Sequence, residues 1–167
     1  MLDTRERLPA PLELTFIEPY PARLRSLLRP ADADTTRVLE QRVQDVPVDV
    51  FQCLRAGDIL FIDSSHVSRV GSDVNYLFFE ILPVLEPGVI VHVHDVLWPF
   101  EYPRTWVLEG RAWNEAYLLR AFLQYNSTFE VMLFNAWIGQ AARDLAAELM
   151  PEFLVNPGGS FWMRKRG

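Results

Sequence analysis

Residues 56–66 read AGDILFIDSSH, and residues 89–95 read VIVHVHD. Each stretch is a short run of apolar β-formers that stops at an acidic residue, Asp63 in the first and Asp95 in the second. Runs that are apolar at nearly every position suit strands buried on both faces of a parallel sheet. Between them, residues 72–85 form the clearest helix pattern. Ser72 stands as N-cap and Asp73 favours the positive end of the helix dipole. Val74, Leu77, Phe78, Ile81, Leu82 and Leu85 make one apolar stripe, and Pro83 is expected to kink or end the helix.

Working outward, the same alternation continues. Residues 12–17 (LELTFI) read as a strand and 22–28 as a short helix. Residues 31–35 read as a polar turn, 38–43 as a weak strand and 48–54 as a short helix. On the other side, 113–124 reads as a strong helix, 129–134 (FEVMLF) as a strand, 141–149 as a helix and 161–164 as a last short strand. Strands alternating with helices predict an α/β chain with a mostly parallel sheet. The last two strands, joined by a long connection, are expected to form an antiparallel edge.

The bulk numbers set limits. A chain of 167 residues can bury one real core, and no repeat or linker divides it, so residues 1–167 read as a single domain. Its net charge of −6 argues against nucleic acid as a partner. A single cysteine, Cys53, allows no internal disulfide and suits a reducing cytoplasm. No apolar run approaches the roughly 20 residues of a membrane span. Residues 1–7 are charged, with no apolar stretch of a signal peptide behind them.

All three histidines fall in the two opening motifs. Ligands of open α/β sheets bind at the carboxyl ends of the strands. If the two strands are neighbours, Asp63, His66, His94 and Asp95 converge on one crevice. Such a set can hold a hard divalent metal, and a rim histidine can act as general base. The competing role for Asp63 is a cap on the Ser64-Ser65 turn. Strand alternation puts His92 on the face of His94, where a core histidine with hydrogen-bond partners is expected. Glu18 follows the first strand and could take ribose hydroxyls or simply face solvent. Residues 98–104, rich in proline and aromatics, form a stiff loop over the strand ends, either for substrate contacts or as a packed lid. Trp113 and Tyr117 are expected in the core.

The order FIEPYP, AGDILFIDSSH, SDVNYLFFEILPVLEPGVIVHVHD, WPFEYPRTW and NEAYLLRAFL resembles class I S-adenosylmethionine-dependent methyltransferases. Among them it resembles the small-molecule O-methyltransferase-like family called methyltransferase domain 24, over about residues 12–135. The resemblance implies a Rossmann-like sheet and S-adenosylmethionine as cofactor. Glu18 would bind its ribose, Asp45 would lie near the adenine and Asp63 would face both methionine and metal. His94 and Asp95 occupy the place of the acidic pair that holds Mg²⁺ or another divalent metal in related members. His66 matches the base of an Asp-Gly-Ser-His run in sugar O-methyltransferases, with Ser64 standing where that run has glycine. The acceptor would be a small molecule such as a sugar or natural product.

One departure is large. The family's first strand and its glycine-rich loop are missing: only 17 residues precede Glu18, and the first glycine is Gly57. The chain therefore reads as an N-terminally truncated domain whose exposed sheet edges could pair in a homodimer. Two other readings stand beside the metal-assisted O-methyltransferase. One is a truncated relative that folds without turnover, and the other is a metal-dependent hydrolase using the same carboxylates.

Overall fold

The computed structural model describes residues 1–8, 12–33 and 35–167. The chain divides into two compact units, Met1–Val46 and Pro47–Gly167.

The first unit is built on two parallel strands, β1 (Leu14–Ile17) and β2 (Thr36–Leu39), in register from Leu14 opposite Thr36 to Ile17 opposite Leu39. Helices α1 (Leu2–Arg7), α2 (Ala22–Leu27) and α3 (Pro30–Ala33) accompany them. Helix α1 has no apolar stripe for periodicity to find. Arg5 ties it to Thr35, bonding the carbonyl at 2.8 Å and the hydroxyl at 2.7 Å. Strand β2 starts and stops earlier than expected. A 3₁₀ turn at Val43–Asp45 takes the end of the expected strand, closed by Arg42 gripping Asp45 at 2.8 and 2.9 Å.

The second unit holds α4 (Asp49–Gln52) and a four-stranded sheet of β3 (Ile59–Ile62), β4 (Ile90–Val93), β5 (Phe129–Phe134) and β6 (Phe161–Lys165). The spatial order is β3-β4-β6-β5. β3 and β4 are parallel, Ile59 opposite Ile90 and Ile62 opposite Val93. β6 runs antiparallel to both β4 and β5 and lies between them. The antiparallel side of the sheet is as expected, with β5 rather than β6 at its rim.

The connection from β3 to β4 is the expected helix in three pieces: α5 (Asp73–Tyr76), a π-helical turn at Leu77–Ile81, and α6 (Leu82–Val84). Ser72 caps it, its hydroxyl accepting from the Asn75 N–H at 3.1 Å. The wide turn has a cause in Pro83, which lacks an N–H and whose ring crowds the carbonyl four residues back. The stripe stays intact: Val74, Phe78, Ile81, Leu82 and Leu85 are all buried. So is one face of the sheet, made of Ile62, Val91, Val93, Phe161 and Met163. The turn into β4 needs glycine. Gly88 has φ +90°, and a Cβ there would lie 2.5 Å from that of Ala56.

The remaining helices are α7 (Arg104–Leu108), α8 (Glu115–Gln124), α9 (Asn135–Ala141) and α10 (Arg143–Leu149), with a 3₁₀ turn at Pro151–Val155. α8 joins the core through Leu119, and its Phe122 meets Phe78 and Phe129 edge-on or tilted.

β3 is not buried on both faces, as its apolar run suggested. It is an edge strand among the described residues, and Ile59 and Phe61 are 52% and 40% exposed. Its sequence is that of an interior strand, and its place is at a rim. Among the described residues, no helix is long and apolar enough to cross a membrane.

Candidate active site

The two motifs of the sequence meet at the carboxyl ends of β3 and β4. The parallel ladder carries one step past the strands, the N–H of His94 donating to the Ile62 carbonyl at 2.9 Å. Asp63 and Asp95 thus leave neighbouring strands at the same end of the sheet. Both departures are abrupt. Asp95 has φ +56° and His66 has φ +59°, left-handed conformations uncommon for any residue with a Cβ. Opposite Asp95, Gly159 lets a second backbone approach. Its carbonyl accepts from the Val96 N–H at 2.9 Å, and a Cβ on it would sit 2.9 Å from the Asp95 Cα.

His66 is buried, and its surroundings come from a part of the chain that the sequence reading did not connect with it. The segment entering α8 closes over the loop after β3. The His66 carbonyl accepts from the N–H groups of Asn114 (2.9 Å) and Glu115 (3.2 Å). The Asn114 amide accepts from the Ser68 N–H at 2.6 Å and donates to the Ser68 carbonyl at 3.1 Å. Glu115, 1% exposed, places one carboxylate oxygen 2.9 Å from His66 Nδ1 and receives the Ser64 hydroxyl on the other at 2.9 Å. Ser64 also accepts the His66 N–H at 2.9 Å. Trp113 packs against the imidazole at a tilt of 36°, its ring centroid 4.1 Å away. A carboxylate as deeply buried as Glu115 needs such partners, because an unpaired one is costly.

The far ring nitrogen, Nε2, lies 3.5 Å from an oxygen of Asp63, whose side chain is 58% exposed. Burial works against the charged imidazole. The hydrogen bond and charge of Glu115, with the charges of Asp63 and Asp95, outweigh it and raise the His66 pKa above the ordinary histidine value. Nearby Tyr102 is no competitor as a base. Burial pushes its hydroxyl up to about 12, although that oxygen accepts the Ala116 N–H at 2.9 Å, and the charge of Glu115 pushes the same way.

His92 and His94 share a face of β4, as alternation required, with His92 Nε2 3.4 Å from His94 Nδ1. The His92 ring stacks flat on Phe61 and edge-on to Trp162, both at 4.3 Å. The expectation of a satisfied core histidine fails at one atom: buried Nδ1 has no hydrogen-bond partner among the described residues.

The expected metal set of Asp63, His94 and Asp95 is not assembled. Among the described residues no three of His, Cys, Asp and Glu are grouped to hold an ion. His94 Nε2 and Asp95 lie 3.7 Å apart, and His94 Nδ1 is engaged with His92. The donors present do not fit the ion that the resemblance implies.

Two further expectations shift. Tyr117 is not core: it is 44% exposed and donates to Glu101 at 2.9 Å, while Trp113 precedes the helix and packs on His66. The loop 98–104 does pack, Phe100 on Phe134 at 5.1 Å and Tyr102 on Trp113 at 5.9 Å. In the first unit, Glu18 stands at the end of β1 and accepts the Tyr20 N–H at 2.8 Å. Asp45 is an exposed partner of Arg42, whose hydrogen bond holds its carboxyl below the usual carboxylate range.

A family model described as a methyltransferase domain matches residues 3–96, just over half of the chain. The chain belongs to this family. It is a class I S-adenosylmethionine-dependent methyltransferase-like domain. The match takes in β1 through the end of β4, and with them Glu18, Asp45, Asp63, His66, His94 and Asp95. Glu115, which holds His66 Nδ1, lies beyond the match. No curated protein and no solved structure matches the chain.

Sequence reading missed Glu115, Asn114 and the second task of Ser64. The available signal was Asn-Glu opening an apolar helix, a common first turn. That the glutamate would turn inward depends on a contact 49 residues away.

Proposed function

We propose that this protein transfers the methyl group of S-adenosylmethionine to a hydroxyl oxygen of a small molecule, such as a sugar or natural product, with His66 as the base. The observation that carries the reading is the ring of His66. It is buried and left-handed at the end of β3, in a chain of the methyltransferase domain family, with one nitrogen on Glu115 and the other on the Asp63 side. A base serves best when its pKa lies near the working pH and its proton-accepting atom is held toward the substrate.

In the first unit, the resemblance assigns Glu18 to the cofactor's ribose hydroxyls and Asp45 to its adenine; in the second, it assigns Asp63 to the methionine end. When bound, S-adenosylmethionine would provide an electrophilic methyl, with its sulfur keeping the C–S bonding pair as the acceptor's oxygen takes the carbon. The hydroxyl proton passes to His66 Nε2. Asp63, partly open to solvent, orients the acceptor and favours the imidazolium that results. Trp113, backed by Tyr102, covers the ring. No step runs through a metal.

The two parallel pairs, β1 with β2 and β3 with β4, each keep an edge without a strand partner among the described residues. The exposed apolar side chains of β3 support a homodimer through the same edge.

The test is calorimetry with S-adenosylmethionine, followed by transfer of labelled methyl to a panel of sugars and phenols. Binding heat and label on oxygen are expected. No heat at millimolar cofactor sinks the reading. Label appearing on an acceptor nitrogen or carbon instead sinks the O-methyl part of it.

A further inference from the structure

The carboxylate of Glu115 is buried more completely than any other charged group near the site, and the methyl-transfer reading leaves it without a task. Ionised, it can only accept hydrogen bonds. The contact at 2.9 Å therefore requires the proton of neutral His66 to sit on Nδ1. The lone pair is then on Nε2, the nitrogen that faces Asp63 and the open end of the strands. The second oxygen is held by the Ser64 hydroxyl, so the carboxylate cannot swing away. Ser64 in turn fixes the His66 backbone N–H, and α8 fixes its carbonyl through Asn114 and Glu115. Every contact restrains either the ring or the left-handed backbone that presents it.

We propose that Glu115 is a positioning residue that holds His66 in its Nδ1–H form and thereby assigns Nε2 as the proton-accepting atom, with Ser64 locking the carboxylate in place. Glu115 touches no substrate. It orients the imidazole, and its carboxylate faces the positive charge that forms when Nε2 takes a proton, as the acidic member of a catalytic triad does. Ser64 thus has a reason to be serine where the resembling sugar O-methyltransferases have glycine: its hydroxyl donates to Glu115 and accepts the His66 N–H, and glycine has no side chain to do either. The part about Nε2 as base rests on the methyl-transfer reading. The part about the ring's form does not.

The test uses the full chain labelled with ¹⁵N-histidine, its imidazole nitrogens observed by long-range ¹H–¹⁵N correlation at a pH where the His66 ring is neutral. The His66→Gln variant assigns the signal. A bare Nε2 and a protonated Nδ1 are expected in wild type. The Glu115→Gln variant, equal in size, is expected to show the opposite form or a mixture. Its kcat should fall about 100-fold with KM little changed, since general acid–base contributions are of that order. Ser64→Ala should lose less, about tenfold, with the ring form unchanged but its signal broadened. A wild-type ring protonated on Nε2 overturns the proposal, as does a Glu115→Gln ring indistinguishable from wild type. Should Glu115→Gln fail to fold by circular dichroism, the wild-type spectrum alone still decides. A ring in the expected form, shifted in Glu115→Gln, with no methyl transfer by wild type, supports the positioning role and refutes the methyl-transfer reading.

Discussion

His66 and His92 are two buried histidines beside the same pair of strands, and they are built in opposite ways. His66 sits in a loop with its backbone left-handed and Nδ1 on a buried carboxylate. Burial disfavours its charge, yet Glu115, Asp63 and Asp95 raise its pKa. His92 sits within β4, its ring against Phe61 and Trp162, with Nδ1 unpartnered among the described residues. Burial, with the charge of His94 adding and Asp63 opposing, pushes its pKa down to about 4. Burial is common to both. The partner decides which ring can carry a proton, and only one has it.

The sharpest way to break this comparison is activity. His66→Gln is expected to lower methyl transfer by about 10²–10⁴-fold, the usual range for a general base. His92→Phe should turn over near the wild-type rate, since an apolar ring replaces one that finds no partner for Nδ1. A large loss in His92→Phe would erase the distinction.

Stability against pH sharpens it. His92 is held below the unfolded histidine value near 6.5. Its contribution is whole above that pH and is lost as pH falls toward about 4, by at most about 3 kcal/mol. His66, held above its unfolded value, contributes fully below that value and loses the contribution as pH rises through the raised pKa. Urea melts over a pH series should show His92→Phe flattening the acid limb and Glu115→Gln flattening the neutral-to-alkaline one.

Smaller effects follow at the supports. Gly159→Ala sets a Cβ against the Asp95 main chain, at 2.9 Å from Cα and 3.2 Å from the carbonyl carbon. Neither atom is the end of a flexible side chain, so a cost of roughly 1–3 kcal/mol in melting stability is expected. Asp45→Asn should leave the melting temperature unchanged, because exposed ion pairs contribute little. A fall in S-adenosylmethionine affinity there would then isolate an adenine contact.

The βαβ core was legible because its signals are local and agree with one another. The strands from 58 and 89, the Ser72 cap and the stripe from Val74 to Leu85 all stand where periodicity put them. The placing of Asp63 and Asp95 at the same end of the sheet was legible too, since it needs only two neighbouring parallel strands. Glu115 was not, because nothing near it in sequence distinguishes an inward carboxylate from one at the start of any solvated helix. The rim position of β3 was hidden for the opposite reason. Ile59 and Phe61 are residues of an interior strand, and composition cannot tell which neighbours a strand has found. The metal set failed because residue types at strand ends do not fix where their donor atoms point.

Asp95 holds a consequence for variation. Its φ of +56° is a conformation that glycine adopts freely and that other residues adopt at a cost of about 1 kcal/mol. In a library sorted only for resistance to heat, glycine and asparagine should rise at position 95 and aspartate should decline. A library sorted for turnover should bring aspartate back. The gap between the two sorted populations at this one codon would measure how far the end of β4 is shaped by chemistry rather than by folding.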